Sequence, residues 1–151
     1  MKIVITGGLG FVGNQVARHL AKAFPHAAIT AIGRSLSPLD SKIFQDLEYL
    51  SSDLTKGRDS FSWLKGVDCV FHVAAKAGIG GKFDDYNLAN FEATRDLLDA
   101  SKNFGVKQFI YTSTPSVVFN TQNIQNGDES LPYLNSPVSP YAFTKAKAEK
   151  I

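Results

Sequence analysis

The 151-residue chain is 44% hydrophobic and 20% charged with a formal charge of +2, an ordinary make-up for one globular domain. A chain of this size can bury roughly two-thirds of its unfolded surface, so a true core is available. The near-neutral balance gives no case for nucleic acid or a charged membrane surface as partner, and no run approaches the ~18 apolar residues of a membrane span. The single cysteine, Cys69, sits in an apolar run and reads as a buried, inert thiol, which fits a reducing compartment. The opening residues read as a first strand rather than a signal peptide, so a cytoplasmic location is expected. No metal site is expected.

Lys2 to Thr6 is a β-branched run that ends in glycines, hence a strand and a turn. Phe11, Val12, Val16, Ala17 and Leu20 recur at helical spacing to Phe24, where Pro25 stops the helix. Ala28 to Ile32 and Leu47 to Leu50 are the second and third strands, and Val67 to Ala74 is the longest strand candidate. Asn90 to Phe104 is helical, with Gly105 as its C-cap. Gln108 to Thr112 is a fifth strand, and Pro140 opens a last helix. Strands alternating with helices predict a parallel sheet covered on both faces. Residues 120 to 139 are too long for an idle loop and are expected to border an active site. The last helix stops without a cap, which points to a truncated chain or fragment.

Four clusters carry chemistry. In Thr6-Gly7-Gly8-Leu9-Gly10-Phe11-Val12-Gly13 the glycines allow a tight turn and close backbone approach to a pyrophosphate, and the following helix offers free N–H groups. The motif follows a strand and opens a helix, the context that makes it specific for a dinucleotide. The end of the second strand, Gly33-Arg34-Ser35, lacks the acid that would bind a ribose diol; the first acid in the chain is Asp40. Gly33 leaves room for a 2′-phosphate that Arg34 and Ser35 can bind, so NADP is favoured over NAD. Tyr141 and Lys145, four apart, share one helix face. A phenol is a poor base at neutral pH, and a cation at ~4 Å attracts its anion by roughly 4 kcal/mol at an effective dielectric near 20, enough to bring it into catalytic range. Finally, Tyr111-Thr112-Ser113-Thr114-Pro115-Ser116 sets hydroxyls at the carboxyl end of the fifth strand, where ligands of open α/β sheets bind.

In order, TGGLGFVG, SDLT, VFHVAAKAG, Asn90 with Thr94, YTSTPSVVF and YAFTKAKAEK resemble the extended short-chain dehydrogenases, and most of all their 3β-hydroxysteroid dehydrogenase-like branch, which includes 2-alkyl-3-oxoalkanoate reductases. The resemblance spans the chain and implies an α/β, Rossmann-type doubly wound parallel sheet, C-terminally truncated. Residues 1–151 would be its NAD(P)-binding domain, with the substrate-binding region absent. It implies Tyr141 as general acid/base, Lys145 binding the nicotinamide ribose, Thr114 in the place of the catalytic serine or threonine, and Asn90 supporting the active-site helix and a water relay. Asp53 and Leu54 would meet the adenine, while Ala74, Ala75 and Lys76 line the cofactor.

Two departures bear on the substrate. Nucleotide-sugar epimerases of this type usually carry valine-tyrosine-glycine where this chain has Val118-Phe119-Asn120, and sugar dehydratases place two acids where Pro115 and Ser116 follow Thr114. Both favour a hydrophobic secondary alcohol or ketone, of the 3β-hydroxysteroid or β-keto/β-hydroxy acid type. A nucleotide-sugar epimerase and a non-catalytic NADP-binding module are the alternatives; such modules typically lose the tyrosine and lysine, both present here. The fifth strand is expected to be an exposed apolar edge that a homo-oligomer would bury, unless the region from about Asn120 is poorly ordered.

Overall fold

Strand β1 (Lys2–Thr6) is apolar on both faces: Ile3, Val4 and Ile5 are all at most 2% exposed. Such a run belongs at the centre of a parallel sheet with cover on each side. In the computed structural model, which describes residues 1–34, 47–78, 80–119, 121–134 and 137–151, β1 pairs with β2 (Ala28–Gly33) on one side and β4 (Cys69–His72) on the other. β3 (Glu48–Ser51) and β5 (Gln108–Tyr111) complete the order β3-β2-β1-β4-β5, every pair parallel. This is the nucleotide-binding order of doubly wound sheets.

The period of two along the strands separates two cores. Ile3, Ile5, Ile29 and Cys69 meet Ala17, Val16 and Leu20 of α1 (Phe11–Ala23). Val4, Ile32 and Val70 face the other way, onto Phe61, Leu64, Leu97 and Ala100. Cys69 is buried as expected, and burial pushes its thiol up.

Phe61 and Leu64 belong to an element that sequence reading passed over. Two short 3₁₀ helices, Leu54–Lys56 and Arg58–Leu64, follow β3. Their three-residue repeat stacks Phe61 and Leu64 on one side, both fully buried, over too few residues to register as a period of 3.6.

The expected Asn90 helix begins earlier. α2 (Phe83–Tyr86) runs into a π-helical segment (Asn87–Glu92) and then α3 (Ala93–Asn103). Asp84 and Asp85 in the first turn signal that start, but Phe83 and Leu88 remain substantially exposed, so no apolar stripe reveals it. Gly105, at φ +74°, ends α3 as predicted. α4 (Pro140–Glu149) opens with Pro140 at its first position and Ser139 as N-cap. Among the described residues, no helix is long and apolar enough to cross a membrane.

Candidate functional site

The register aligns Thr6, Ile32, His72 and Tyr111 across the sheet, and the chain turns into the site just beyond that row. Gly7 has φ +70°, and a Cβ there would lie 2.7 Å from the Ala74 backbone nitrogen. The turn and the segment leaving β4 therefore meet backbone to backbone, which only glycine permits. Gly13 lies so close to the Gly7 carbonyl that any side chain would collide with it. The first bond of α1 runs from the Asn14 N–H to the Gly10 carbonyl, so the N–H groups of Phe11, Val12 and Gly13 have no partner within the helix. With no acid in that first turn, the positive end of α1 faces the space above β1.

That space is a cleft of about 1050 Å³ running from Arg34 and Asp53, past the glycine turn, to Tyr141 and Lys145. At one end the Asp53 carboxylate accepts from both the Thr55 N–H (3.0 Å) and hydroxyl (2.8 Å). Those bonds, with Arg34 nearby, hold its pKa below the usual carboxylate value. Leu9 packs where a Gly33 side chain would stand, 3.0 Å from the position of its Cβ. Leu9 fills the spot a side chain there would take, while Gly33 and Leu9 both line the open cleft.

At the other end Lys145 is only 2% exposed. Its ammonium donates to the Thr112 carbonyl and lies 4.0 Å from the Tyr111 ring centroid. Burial lowers it from 10.5 to about 8. Burial likewise pushes the Tyr111 phenol up, and its hydroxyl and that of Ser113 are buried without a partner. Ser113 lines the cleft, but its hydroxyl oxygen is shielded from it and has no hydrogen-bond partner among the described residues.

Asn90 is 1% exposed on the π segment. Its Oδ1 accepts from the Lys76 N–H (2.7 Å), and its Nδ2 donates to the Lys76 carbonyl (3.0 Å) and the Thr144 hydroxyl (3.1 Å). One amide thereby ties the segment after β4 to α4.

The family model of 3-beta hydroxysteroid dehydrogenase/isomerase matches residues 4–151. The chain belongs to that family. Over 152 residues it is 36% identical to the 2-alkyl-3-oxoalkanoate reductase of Stenotrophomonas maltophilia, covering 99% of this chain and 45% of that protein. It is 34% identical over 156 residues to the 3-beta-hydroxysteroid dehydrogenase of Mycolicibacterium neoaurum, again 99% of this chain but 42% of that protein. Among solved structures, the UDP-glucuronic acid 4-epimerase of Bacillus cereus in complex with NAD gives a TM-score of 0.82 at 29% identity, covering 99% of this chain and 50% of that one. The chain spans half or less of the length of each.

In this 3-beta hydroxysteroid dehydrogenase/isomerase family member the cleft gathers Gly7, Gly10, Phe11, Val12 and Gly13 at the turn, and Arg34, Asp53 and Leu54 at one end. Ala74, Ala75 and Lys76 line the segment after β4, and Tyr141 and Lys145 the far end. Asn90 reaches the site through its hydrogen bonds and does not line the cleft. Thr114 does not line it either. Its hydroxyl accepts from the Ser116 N–H at 3.3 Å, capping the 3₁₀ turn Pro115–Val117, while Thr112 and Ser113 face the cleft. Ser35 lies outside the described residues. Leu9, Thr55, Asp85 and Leu88 also line the cleft and were not foreseen. Asp85 and Leu88 belong to the helix start that sequence reading placed too late. Thr55 follows Asp53 at the spacing of a side-chain-capped turn, a signal that was legible.

Proposed function

We propose that the protein carrying this chain is an NADP-dependent dehydrogenase or reductase of a hydrophobic secondary alcohol or ketone, of the 3β-hydroxysteroid or β-keto/β-hydroxy acid type. In this reading residues 1–151 are its NAD(P)-binding domain. The observation that carries it is that Tyr141 and Lys145, one turn apart on α4, line the same cleft as the glycine turn. The residues present fit a dinucleotide. The unpartnered N–H groups at the start of α1 and the glycine backbone suit a pyrophosphate.

The bound nicotinamide would supply or accept the hydride. Tyr141 would donate its phenolic proton to the ketone oxygen in reduction and take it back from the alcohol in oxidation. Lys145, buried and held by the Thr112 carbonyl, would fix a cation beside that proton and bind the nicotinamide ribose. Arg34 would bind the 2′-phosphate, Asp53 and Leu54 the adenine, and Ala74, Ala75 and Lys76 would pack along the cofactor. Thr114, in the place of the family's serine or threonine, would reach the reacting oxygen only on leaving the turn it caps in this structure.

The names of the two enzyme relatives support the substrate class, as do the departures at Pro115, Ser116 and Val118 to Asn120. A second reading, nucleotide-sugar epimerase, draws on the likeness to the UDP-glucuronic acid 4-epimerase. The two separate by assaying the protein that carries this chain for NADPH consumption with a 2-alkyl-3-oxoalkanoate or a 3-ketosteroid, and for epimerisation of UDP-glucose. Net NADPH consumption is expected, lost by about 10²–10⁴-fold in Tyr141→Phe with NADPH affinity nearly unchanged. UDP-sugar epimerisation without net NADPH consumption, or a Tyr141→Phe rate near the parent's, overturns the reading.

A further inference from the structure

A second polar group lies buried in the fold, away from the cleft. His72 is fully buried on β4, between Thr6 of β1 and Thr94 of α3. Its Nδ1 is 2.6 Å from the Thr6 hydroxyl and its Nε2 is 2.8 Å from the Thr94 hydroxyl. The Thr94 hydroxyl donates to the Asn90 carbonyl at 2.7 Å, so it can only accept from His72. The hydrogen therefore sits on Nε2, and Nδ1 accepts from Thr6. Onward, the Asn90 amide donates to Thr144, whose hydroxyl donates to the Pro140 carbonyl at 2.8 Å in the first turn of α4.

The donors run one way from Thr6 through His72 and Thr94 to the Asn90 carbonyl, and again from the Asn90 side-chain amide through Thr144 to the Pro140 carbonyl, so two short bonded runs meet at one residue. Thr6, His72, Thr94, Asn90 and Thr144 are each at most 2% exposed. None lines the cleft. Apolar side chains of similar shape would fill the same space without risking unsatisfied groups, so packing alone does not account for five polar ones.

We propose that Thr6, His72 and Thr94 are positioning residues: through Asn90 and Thr144 they fix where α4 holds Tyr141 and Lys145 against the end of the sheet. The inference rests on the reading of Tyr141 and Lys145 as the catalytic pair, and it extends the support expected of Asn90 back to the central strand. Without the series, α4 would keep its own helical bonds and cap but would no longer be indexed to β1.

The consequence is measurable at Lys145, whose ammonium stays buried only while α4 is seated. Nuclear magnetic resonance of the lysine Cε carbons across pH reads its titration directly in this chain, without assuming any activity. In the parent, burial is expected to bring the Lys145 titration down to about 8. Thr94→Val keeps the shape and removes the hydroxyl; the Lys145 titration is expected to move toward the 10.5 of a free lysine, by about one pH unit. Thr94→Ser restores the hydroxyl and is expected to return it to the parent value. If Thr94→Val fails to fold, Thr6→Val at the far end of the series makes the same test in a strand position that suits valine. A valine variant that melts earlier yet leaves Lys145 titrating as in the parent overturns the proposal, because the series would then stabilise the fold without positioning the site. Failure of the catalytic reading appears separately, as activity retained in Tyr141→Phe.

Discussion

Arg34 stands at the exit of β2, where its carbonyl accepts from the Ser51 hydroxyl at 2.8 Å and its side chain lines the cleft. Leu9 and Gly33 line the cleft beside it, and the case for a 2′-phosphate falls on that guanidinium. Thr55 holds one oxygen of the nearby Asp53 carboxylate, and among the described residues no hydrogen bond or ion pair joins that carboxylate to Arg34. Arg34→Ala is therefore expected to weaken NADPH by roughly 10–100-fold, the value of a hydrogen bond to a charged group, while NADH changes by less than about twofold. Calorimetry with both cofactors decides it, and tighter binding of NADH by the parent would remove Arg34 from this role. Asp53 itself shows what single-residue reading can and cannot see. The sequence places it past the third strand, but only the folded chain brings it beside Arg34.

At the scale of elements, α4 depends on how it starts. The Ser139 hydroxyl accepts from the Ala142 N–H at 3.2 Å, and Pro140 presets the first turn. Ser139→Ala is expected to cost about 1 kcal/mol, which in a domain of this size lowers Tm by roughly 2–4 °C. An unchanged melt would show that the cap contributes nothing. This start was readable, since proline after a serine is a local signal. The start of α2 was less so: its acids were visible, but Phe83 is 44% exposed, Tyr86 is its one buried residue, and the π segment shifts the helical period. The Ala93 N–H bonds to the Leu88 carbonyl, five residues back, so a count based on 3.6 residues per turn loses phase there. The 3₁₀ helices before β4 escaped for a related reason, because their buried pair Phe61 and Leu64 is too short a pattern to stand out.

For the molecule as a whole, acid stability reports on the buried histidine. Burial, reinforced by the Lys145 charge, lowers His72 from 6.5 to about 3. Between those values the unfolded chain binds a proton that the folded chain does not, so the contribution of His72 to stability is constant above about pH 6.5 and falls as pH drops toward 3. Protonation would also give Nδ1 a hydrogen facing Thr6, whose oxygen already lies 3.4 Å from the Ala74 N–H. Urea melts at several pH values should show the midpoint declining below about 6.5, while the His72 ring signals stay neutral down to about pH 4. A His72 that titrates near 6.5 in the folded protein would contradict this. The same fold leaves β5 at the sheet edge, paired with β4 and with Ile110 42% exposed, as its apolar pattern suggested.

Local chemistry was enough to mark the glycine turn and the five strands, and to put Tyr141 and Lys145 on one helix, which the structure sets at the same cleft. Each rests on residues within one or two turns of one another, where backbone sterics and periodicity act directly. What only the tertiary structure decided is how distant residues meet. His72 could have been a solvated or a buried side chain; pairing of β1 with β4 sets it against Thr6, 66 residues away, and α3 closes over it with Thr94. Thr112, Ser113 and Thr114 form one run of hydroxyls, of which the family resemblance singles out Thr114. The short turn after β5 takes Thr114 as its cap and turns Ser113 into the cleft, because an unsatisfied N–H at a turn finds the nearest oxygen. Such choices depend on three-dimensional neighbours that no local pattern encodes.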